Sequence, residues 1–483
     1  MIDLRAVAYP VALLLTLLGA LMGAPAAADL AAGQEGWRVF ALAGGLTIFA
    51  GAALALATRE TPARSFRVRE AFLFVTMAWL VLALFAATPF WLGETALTYP
   101  AALFEAMSGL TTSGGTAIRG LDGLSAGPLL WRAMLNGLGG AGALMLGVVI
   151  LPALQVGGAQ VVRVEAAPRR ELLYPRARTM AGRTLAAYAG LIAACAACYG
   201  LSGMSAFDAV AHALATVSTG GFSTHDASIG HFHSAGVEWT AILFMIAGAL
   251  PLAVFVRALR GDGVAPWRSH EIRAFGAIGL SAAALLALSL AASGEAPGPG
   301  LLREGLFAAV STLTTTGFRV SDGAAWSPFA QAVLFALLFV GGCGGSTAGG
   351  LKLFRILILG QTVKQALRRI RLPHSVTPLT FEGAPVDNGT ALAVVSFLIA
   401  YVAAFWAAAL ALNLTGLELG ASLSAAAALL SNTGPGFGPQ LGQGVASAGL
   451  PTATYGVMVA TMLLGRLEIF TLFVLFIPRF WRG

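Results

Sequence analysis

Charge is scarce in this chain. Of 483 residues only 11% are charged and 57% are hydrophobic, with a mean hydropathy of +0.81; soluble domains carry about 25% charged residues. Several apolar runs reach the roughly 20 residues needed to cross a bilayer, and no stretch is long and polar enough for a separate soluble domain. Cysteine is scarcer still. Three residues, Cys195, Cys198 and Cys343, exclude a disulfide scaffold and a Cys-based zinc centre. Cys195 and Cys198 form a CxxC inside an apolar helix and read as small buried residues. Among six histidines, His225-Asp226 suggests a metal pair. No second His or carboxylate cluster with ligand spacing accompanies it, so it is assigned to hydrogen bonding at an outer mouth. No nucleophile–base set or cofactor motif is visible, so an intramembrane enzyme is disfavoured and no organic cofactor is expected.

What is abundant is apolar sequence punctuated by glycine, 60 residues of it. Spanning segments are expected near 7–27, 37–57, 71–92, 128–154, 184–202, 237–258, 272–293, 328–359, 389–413 and 453–478, giving an all-α polytopic membrane protein. Arginine sets the orientation, because inner loops are rich in Lys and Arg. Basic clusters lie at Arg59, Arg64, Arg67 and Arg69; at Arg163, Arg169, Arg170, Arg176, Arg178 and Arg183; at Arg257, Arg260, Arg268 and Arg273; at Lys364, Arg368, Arg369 and Arg371; and at Arg479 and Arg482. The net charge of +7 is thereby a topology signal and calls for no nucleic-acid partner. Arg5, an apolar stretch and APAAA (24–28) mimic a secretory signal, but the apolar region is long and a second span follows, so a retained helix is expected.

Four glycine knots interrupt the apolar sequence: TTSGGT (111–116), STGGFS (218–223), TTTGFR (314–319) and NTGPGF (432–437). Aligned on Gly114, Gly220, Gly317 and Gly434, they stand 106, 97 and 117 residues apart. Each follows two to three helical turns of small and apolar residues. Successive basic loops on one side require an even number of crossings, so each knot segment must enter from outside and return. The repeating unit is therefore helix, re-entrant pore helix, glycine knot, helix. Four such units in fourfold pseudosymmetry are expected at 67–160, 161–262, 263–372 and 373–483, after an N-terminal helix pair at 1–66. Irregular backbone at membrane depth is tolerable where its carbonyls line a wet path, and a ring of them is how a potassium filter works. The candidate filter residues are Thr111, Thr112, Ser113 and Gly114; Ser218, Thr219 and Gly220; Thr315, Thr316 and Gly317; and Asn432, Thr433 and Gly434. Glu105, Asp208 and Glu304 are placed near the outer start of the pore helices, where carboxylates favour the helix dipole and attract cations.

Two further features lie below the filters. Gly341, Gly342, Cys343, Gly344, Gly345, Ser346, Thr347, Ala348, Gly349 and Gly350 interrupt a span with six glycines, each costing about 1 kcal/mol in a helix. The spacing of a phosphate loop fails because Leu353 follows Lys352, and a gate across the pore is expected. Arg466, in MLLGRLEIF, is an intramembrane arginine, which by default faces a watery cavity or a partner; Glu468 is expected to point elsewhere on the helix.

SGLTTSGGT (108–116), WRAMLNGLGGAG (131–142), FDAVAHALATVSTGGFSTHDASIG (207–230), GGCGGSTAGGLKLFRI (341–356), SNTGPGFG (431–438) and MLLGRLEIFTLFVLF (462–476) resemble the Trk/Ktr/HKT superfamily of potassium transporters, most of all its bacterial TrkH branch. The resemblance spans essentially the whole chain. It implies potassium uptake across the bacterial inner membrane, potassium bound at the four filters, and a gate formed by 341–350 with Arg466. It also implies a homodimer in membrane lipid, paired with a cytoplasmic nucleotide-binding, TrkA-like ring. Ala348 replaces a third consecutive glycine and is expected to stiffen the loop; Ser113 and Gly115 stand where Thr and Ala are frequent. The alternative within transport is a secondary carrier coupling potassium to sodium or protons.

Overall fold

The computed structural model describes residues 3–59, 67–147, 175–258, 268–292, 299–321, 326–372, 378–434 and 449–482. Arg64, Arg163, Arg169, Arg170 and Arg260, residues 148–154 of the fourth expected span, residues 435–437 of the last knot and the unit boundaries near 66, 160, 262 and 373 lie at or outside the edges of this set. Among the described residues the fold is helical, with one two-residue hairpin pairing Thr380–Phe381 with Ala384–Pro385.

After a helix pair at the N-terminus, one pattern runs four times. A long helix (Val68–Ala86, Pro175–Leu201, His270–Ala292, Asn388–Leu414) leads into a half-helix (Tyr99–Leu110, Ala206–Val217, Pro299–Leu313, Leu419–Ser431), then a knot, then a second helix. The half-helices have 12 to 15 residues. At about 1.5 Å per residue they reach only some 18–22 Å, short of the roughly 30 Å hydrocarbon layer. They form the centre of the molecule: Ala425, Ala426, Ala427 and Ala428 are fully buried. Large apolar side chains such as Phe49, Leu243, Leu280, Leu288, Leu392 and Leu410 are instead exposed on the long helices. Such an apolar exterior is what lipid tails require.

Two of the second helices are sharply bent. Ala235–Ala249 and Leu252–Ala258 meet at 97°, and Thr452–Arg466 and Phe470–Phe476 at 106°. The expected continuous spans 237–258 and 453–478 are thus corrected to broken ones. Pro251 causes the first break, because the residue before proline is driven out of the helical region and Leu250 is extended (ψ 157°). The last break sits on Glu468 and Ile469, both at positive φ (54° and 35°). In the third unit Pro328–Leu337 stops before the glycine loop and Leu353–Arg371 resumes after it.

Leu4–Leu21 and Trp37–Thr58 pack through small residues, the usual device in lipid. A Cβ on Gly19 would lie 2.8 Å from the Gly44 carbonyl oxygen, and one on Gly51 2.7 Å from the Thr16 nitrogen. Asp29, fully buried, accepts from the Gly127 N–H at 2.5 Å and so pins this pair to the first unit. Gly51→Leu should therefore separate the pair and cost about 1–3 kcal/mol by overpacking. Gly45→Leu, with nothing within 4 Å of the new Cβ, should be neutral. Thermal unfolding in detergent checks the contrast.

Candidate functional site

All four half-helices end with the same hydrogen bond. The Ser113 N–H donates to Ser108 (2.8 Å), Gly220 to Ala215 (2.8 Å), Thr316 to Ser311 (2.9 Å) and Thr433 to Ala428 (2.8 Å), each to the carbonyl five residues back. The preceding residue is left-handed in every case: Thr112 (φ 52°), Thr219 (53°), Thr315 (59°) and Asn432 (55°). This is a Schellman termination, which usually places glycine at that position. Two residues later comes a left-handed glycine: Gly114 (76°), Gly221 (73°), Gly317 (79°) and Gly434 (81°).

The second knot is therefore out of register with the sequence alignment by one residue. The counterpart of Gly114, Gly317 and Gly434 is Gly221, whereas Gly220 matches Ser113, Thr316 and Thr433. Side chains agree. Thr111–Ser113, Thr314–Thr316 and Ser431–Thr433 join hydroxyls at 2.8 Å in three units. In the second unit Asn136 occupies the space of the missing side chain, its Cγ, Oδ1 and Nδ2 being the nearest atoms to a Cβ built on Gly220. Asn136 also donates to the Gly109 carbonyl (3.1 Å) and accepts from the Phe222 N–H (3.2 Å), bridging units one and two. The Gly-Phe dipeptides 221–222 and 317–318 carried this register in the sequence.

The four glycines meet in a closed ring. A Cβ on Gly114 would lie 2.6 Å from the Gly220 oxygen, one on Gly221 would collide with the Thr316 oxygen, and one on Gly317 would lie 3.3 Å from the Gly434 Cα. The Gly434 N–H donates back to the Ser113 carbonyl. Ser218, Thr219, Thr315, Thr316, Asn432 and Thr433, like Thr111, Thr112 and Ser113, are buried around it.

The segment 341–350 binds to parts of the second, third and fourth units. Cys343 and Thr347 donate backbone N–H groups to Ala249 (3.0 Å) and Gly248 (3.2 Å), at the second unit's helix break. The Thr347 hydroxyl reaches the carbonyls of Val217 (3.0 Å) and Gly248 (2.9 Å), and the Gly349 N–H donates to Thr315 Oγ1 (2.7 Å). A Cβ on Gly349 would lie 3.2 Å from that of Asn432 in the fourth knot. Gly344 donates to Glu271 Oε1 at 2.8 Å, and Gly342 accepts from Leu353 at 3.0 Å. Gly341, Gly345 and Gly350 take left-handed turns that side chains rarely adopt. Ser346 donates its hydroxyl to Cys343 at 2.6 Å, and Lys352 donates Nζ to Ser346 (3.3 Å) and Ala348.

Arg466 is buried with 5% exposure. It donates to the Thr347 carbonyl at 3.1 Å and to Gly139 of the first unit at 3.4 Å. Glu468 does not point away from the site: the break in the last helix swings it onto Arg355, with which it forms an ion pair. The grouping of Glu271, Lys352, Arg355 and Glu468 was missed in the sequence because Glu271 and Glu468 are distant from the 341–356 motif, and only the broken helices bring the three segments together.

The outer carboxylates divide. Asp208 lies in the first turn of its half-helix, joined to Ser205 (2.7 Å) and Thr224 (2.7 Å). Glu105 is not an outer attractor. It is fully buried in mid-helix, bound to Arg132 at 2.8 Å, to Thr116 and to the Ala117 N–H. Arg132 in turn donates to the Ser223 carbonyl and lies 4.2 Å over the Phe222 ring, tying unit one to the second knot. Glu304 lies beyond the first turn of Pro299–Leu313. His225 does have partners, contrary to the spacing argument: His231 stacks on it at 3.5 Å and Asp122 accepts at 2.5 Å. Burial pushes the Asp122 carboxyl up, but hydrogen bonds from His225 and the Asp226 N–H outweigh it and hold the group below its ordinary value.

Four re-entrant half-helices converging on one glycine ring define a multi-pass membrane transport protein rather than an enzyme. The family described as TrkH, cation transport protein, matches residues 37–482. Trk system potassium uptake protein TrkH of Halomonas elongata is 37% identical over 99% of this chain and 100% of its own. TrkH of Escherichia coli is 37% identical over 86% of each chain. The crystal structure of the potassium transporter TrkH from Vibrio parahaemolyticus superposes with a TM-score of 0.90, at 34% identity, over all of both chains. The chain belongs to the TrkH family.

The corrected register makes a prediction. Gly220 has no left-handed φ, and the atoms nearest to a side chain there are those of Asn136. Gly220→Ser alone should lower thermal stability, and adding Asn136→Ala should recover part of the loss. Gly221→Ser, strained at φ 73° against the third-unit backbone, should gain nothing from Asn136→Ala. Equal recovery for both would return the register to the alignment on Gly220.

Proposed function

We propose that this chain takes up potassium across the bacterial inner membrane, by channel-like permeation through the ring of the four knots. The observation carrying this reading is the closed contact Gly114–Gly221–Gly317–Gly434–Ser113 at the converging ends of four half-helices. The negative dipole end of each half-helix points at the ring, and exposed carbonyls replace the hydration shell of an ion of matching size. The names and descriptions of the relatives support potassium as the cargo.

In this reading 341–350 is the gate and Arg466 its latch. The loop is hydrogen-bonded to Val217 and to Thr315 beside the ring, and Arg466 fastens its Thr347 carbonyl to Gly139 on the opposite unit. A homodimer regulated by a cytoplasmic nucleotide-binding ring, which the family resemblance implies, completes the proposal. Broken helices are also a mark of secondary carriers, but those are usually built from inverted repeats, whereas the four units here share one sense. Potassium flux into proteoliposomes holding this chain alone tests the reading; flux that requires a sodium or proton gradient would favour the carrier.

Alanine or serine at Gly114, Gly221, Gly317 or Gly434 should reduce the potassium-over-sodium permeability ratio, since an added Cβ opposes the left-handed turn and displaces carbonyls. Unchanged ratios in all four variants would remove the filter assignment. For Arg466→Ala, loss of a positive charge relieves roughly 2 kcal/mol if the charge and a passing ion are taken as about 8 Å apart at an effective dielectric of about 20. Flux should rise by about tenfold or more where this point is limiting, and Arg466→Lys should keep most of the barrier while losing the two-pronged grip. Wild-type rates in both folded variants would mean that the barrier lies elsewhere.

A further inference from the structure

The histidine pair at the outer mouth has a geometry that hydrogen bonding alone does not require. Asp122 lies in the short turn Leu121–Gly123 after the first knot, and His225 and His231 follow the second. Their ligand atoms all lie within 4.8 Å of one another. Both imidazoles turn Nδ1 toward the same carboxylate oxygen, His225 at 2.5 Å and His231 at 3.8 Å. The rings are parallel, 3.5 Å apart, an arrangement that repels if both are protonated. Asp122 and His231 are exposed, so an ion from outside reaches them and the side chains have room to adjust.

The surroundings of His225 are also those of a metal ligand. Its Nε2 is buried without a hydrogen-bond partner among the described residues, yet lies 3.5 Å from Asp208 Oδ1. A metal at Nδ1 would displace the proton shared with Asp122 and move the ring's N–H to Nε2, facing Asp208. That is the carboxylate–histidine–metal arrangement that orients zinc-binding imidazoles. Asp208 is itself fixed by Ser205 and Thr224, and Phe232 closes edge-on against both rings at 5.3 Å.

We propose that Asp122, His225 and His231 form a binding site for a zinc-class divalent cation at the outer mouth, clamping the first unit to the second. Two nitrogens and one carboxylate oxygen leave a fourth tetrahedral position for water. Ligand bonds of about 2.0–2.2 Å require the Asp122 carboxylate to retreat slightly from His225. The occupied site places two positive charges four residues beyond Gly221. Its effect on flux, though not its existence, rests on the potassium-uptake reading: the bound ion lowers potassium entry from outside.

The test uses the full chain in detergent and in proteoliposomes, with zinc chloride as the probe. Calorimetry should show one zinc per chain, and external zinc should inhibit potassium flux over the same concentration range. His231→Ala and Asp122→Asn, both at exposed positions, each remove a ligand and should weaken zinc binding by well over about tenfold, the lower end of the loss expected from changing a ligand's outer hydrogen-bond partner. Asp208→Asn should weaken it less. No stoichiometric zinc binding, or equal affinity in wild type and His231→Ala, overturns the site. Zinc that binds with these mutational effects but leaves flux unchanged in a transporting sample overturns the blocking role. Absence of potassium flux with zinc binding intact would instead count against the uptake reading.

Discussion

The left-handed turn that ends each half-helix is the constraint on which this architecture depends. Without it, a helix of 12 to 15 residues would carry its last carbonyls into the hydrocarbon, where each unsatisfied group costs several kcal/mol. The bond from Ser113, Gly220, Thr316 or Thr433 to the carbonyl five residues back satisfies part of that need and turns the chain toward the axis. Three of the four turning residues are threonines, a β-branched type for which positive φ is a true outlier. Such strain persists only where the surroundings over-determine it. Here the surroundings are the neighbouring units, so the turns and the ring hold each other in place.

The ring is held from outside as well as by its own backbone. Asn136 ties the end of the first half-helix to Phe222, Arg132 ties Glu105 to Ser223, and Asn432 donates to Ser113 (2.9 Å) and to Met462 (3.0 Å). Each of these polar side chains is nearly fully buried, and each joins different units or elements. Removing Asn136, for example, takes away the acceptor of the Phe222 N–H, and leaving a buried donor unpaired costs more than the net value of the bond itself.

Much of this was legible in the sequence. Four knots separated by short and long apolar runs carried the four units. Residues 341–350 broke their span because six glycines cannot sustain a helix. What misled was local resemblance. STGG aligns by eye on its first glycine, while the backbone uses the second, and only the following phenylalanine preserves the register. The helix breaks at Leu250 and Glu468 were hidden because apolar length says nothing about straightness, although Pro251 was a visible warning. The Asp122–His225–His231 cluster was invisible for a different reason: Asp122 lies 103 residues from His225, and no spacing rule spans two repeats. Glu105 was misplaced because a carboxylate in a short helix reads as an exposed one until its partner, Arg132, is seen.

Residue 352 ends the loop and Leu353–Arg371 begins at once, without any slack linker between them. Nineteen residues make a rod about 28 Å long, apolar where it is buried at Phe354 and Ile358 and basic at its far end, with Arg368, Arg369 and Arg371 in its last turn. Arg355, close to the near end, is bound to Glu468 and stacked 4.0 Å over Phe397, which makes that point a fulcrum. A stiff helix held at that point would pass a sideways displacement of its basic end on to residue 352, where the loop ends, reduced in amplitude.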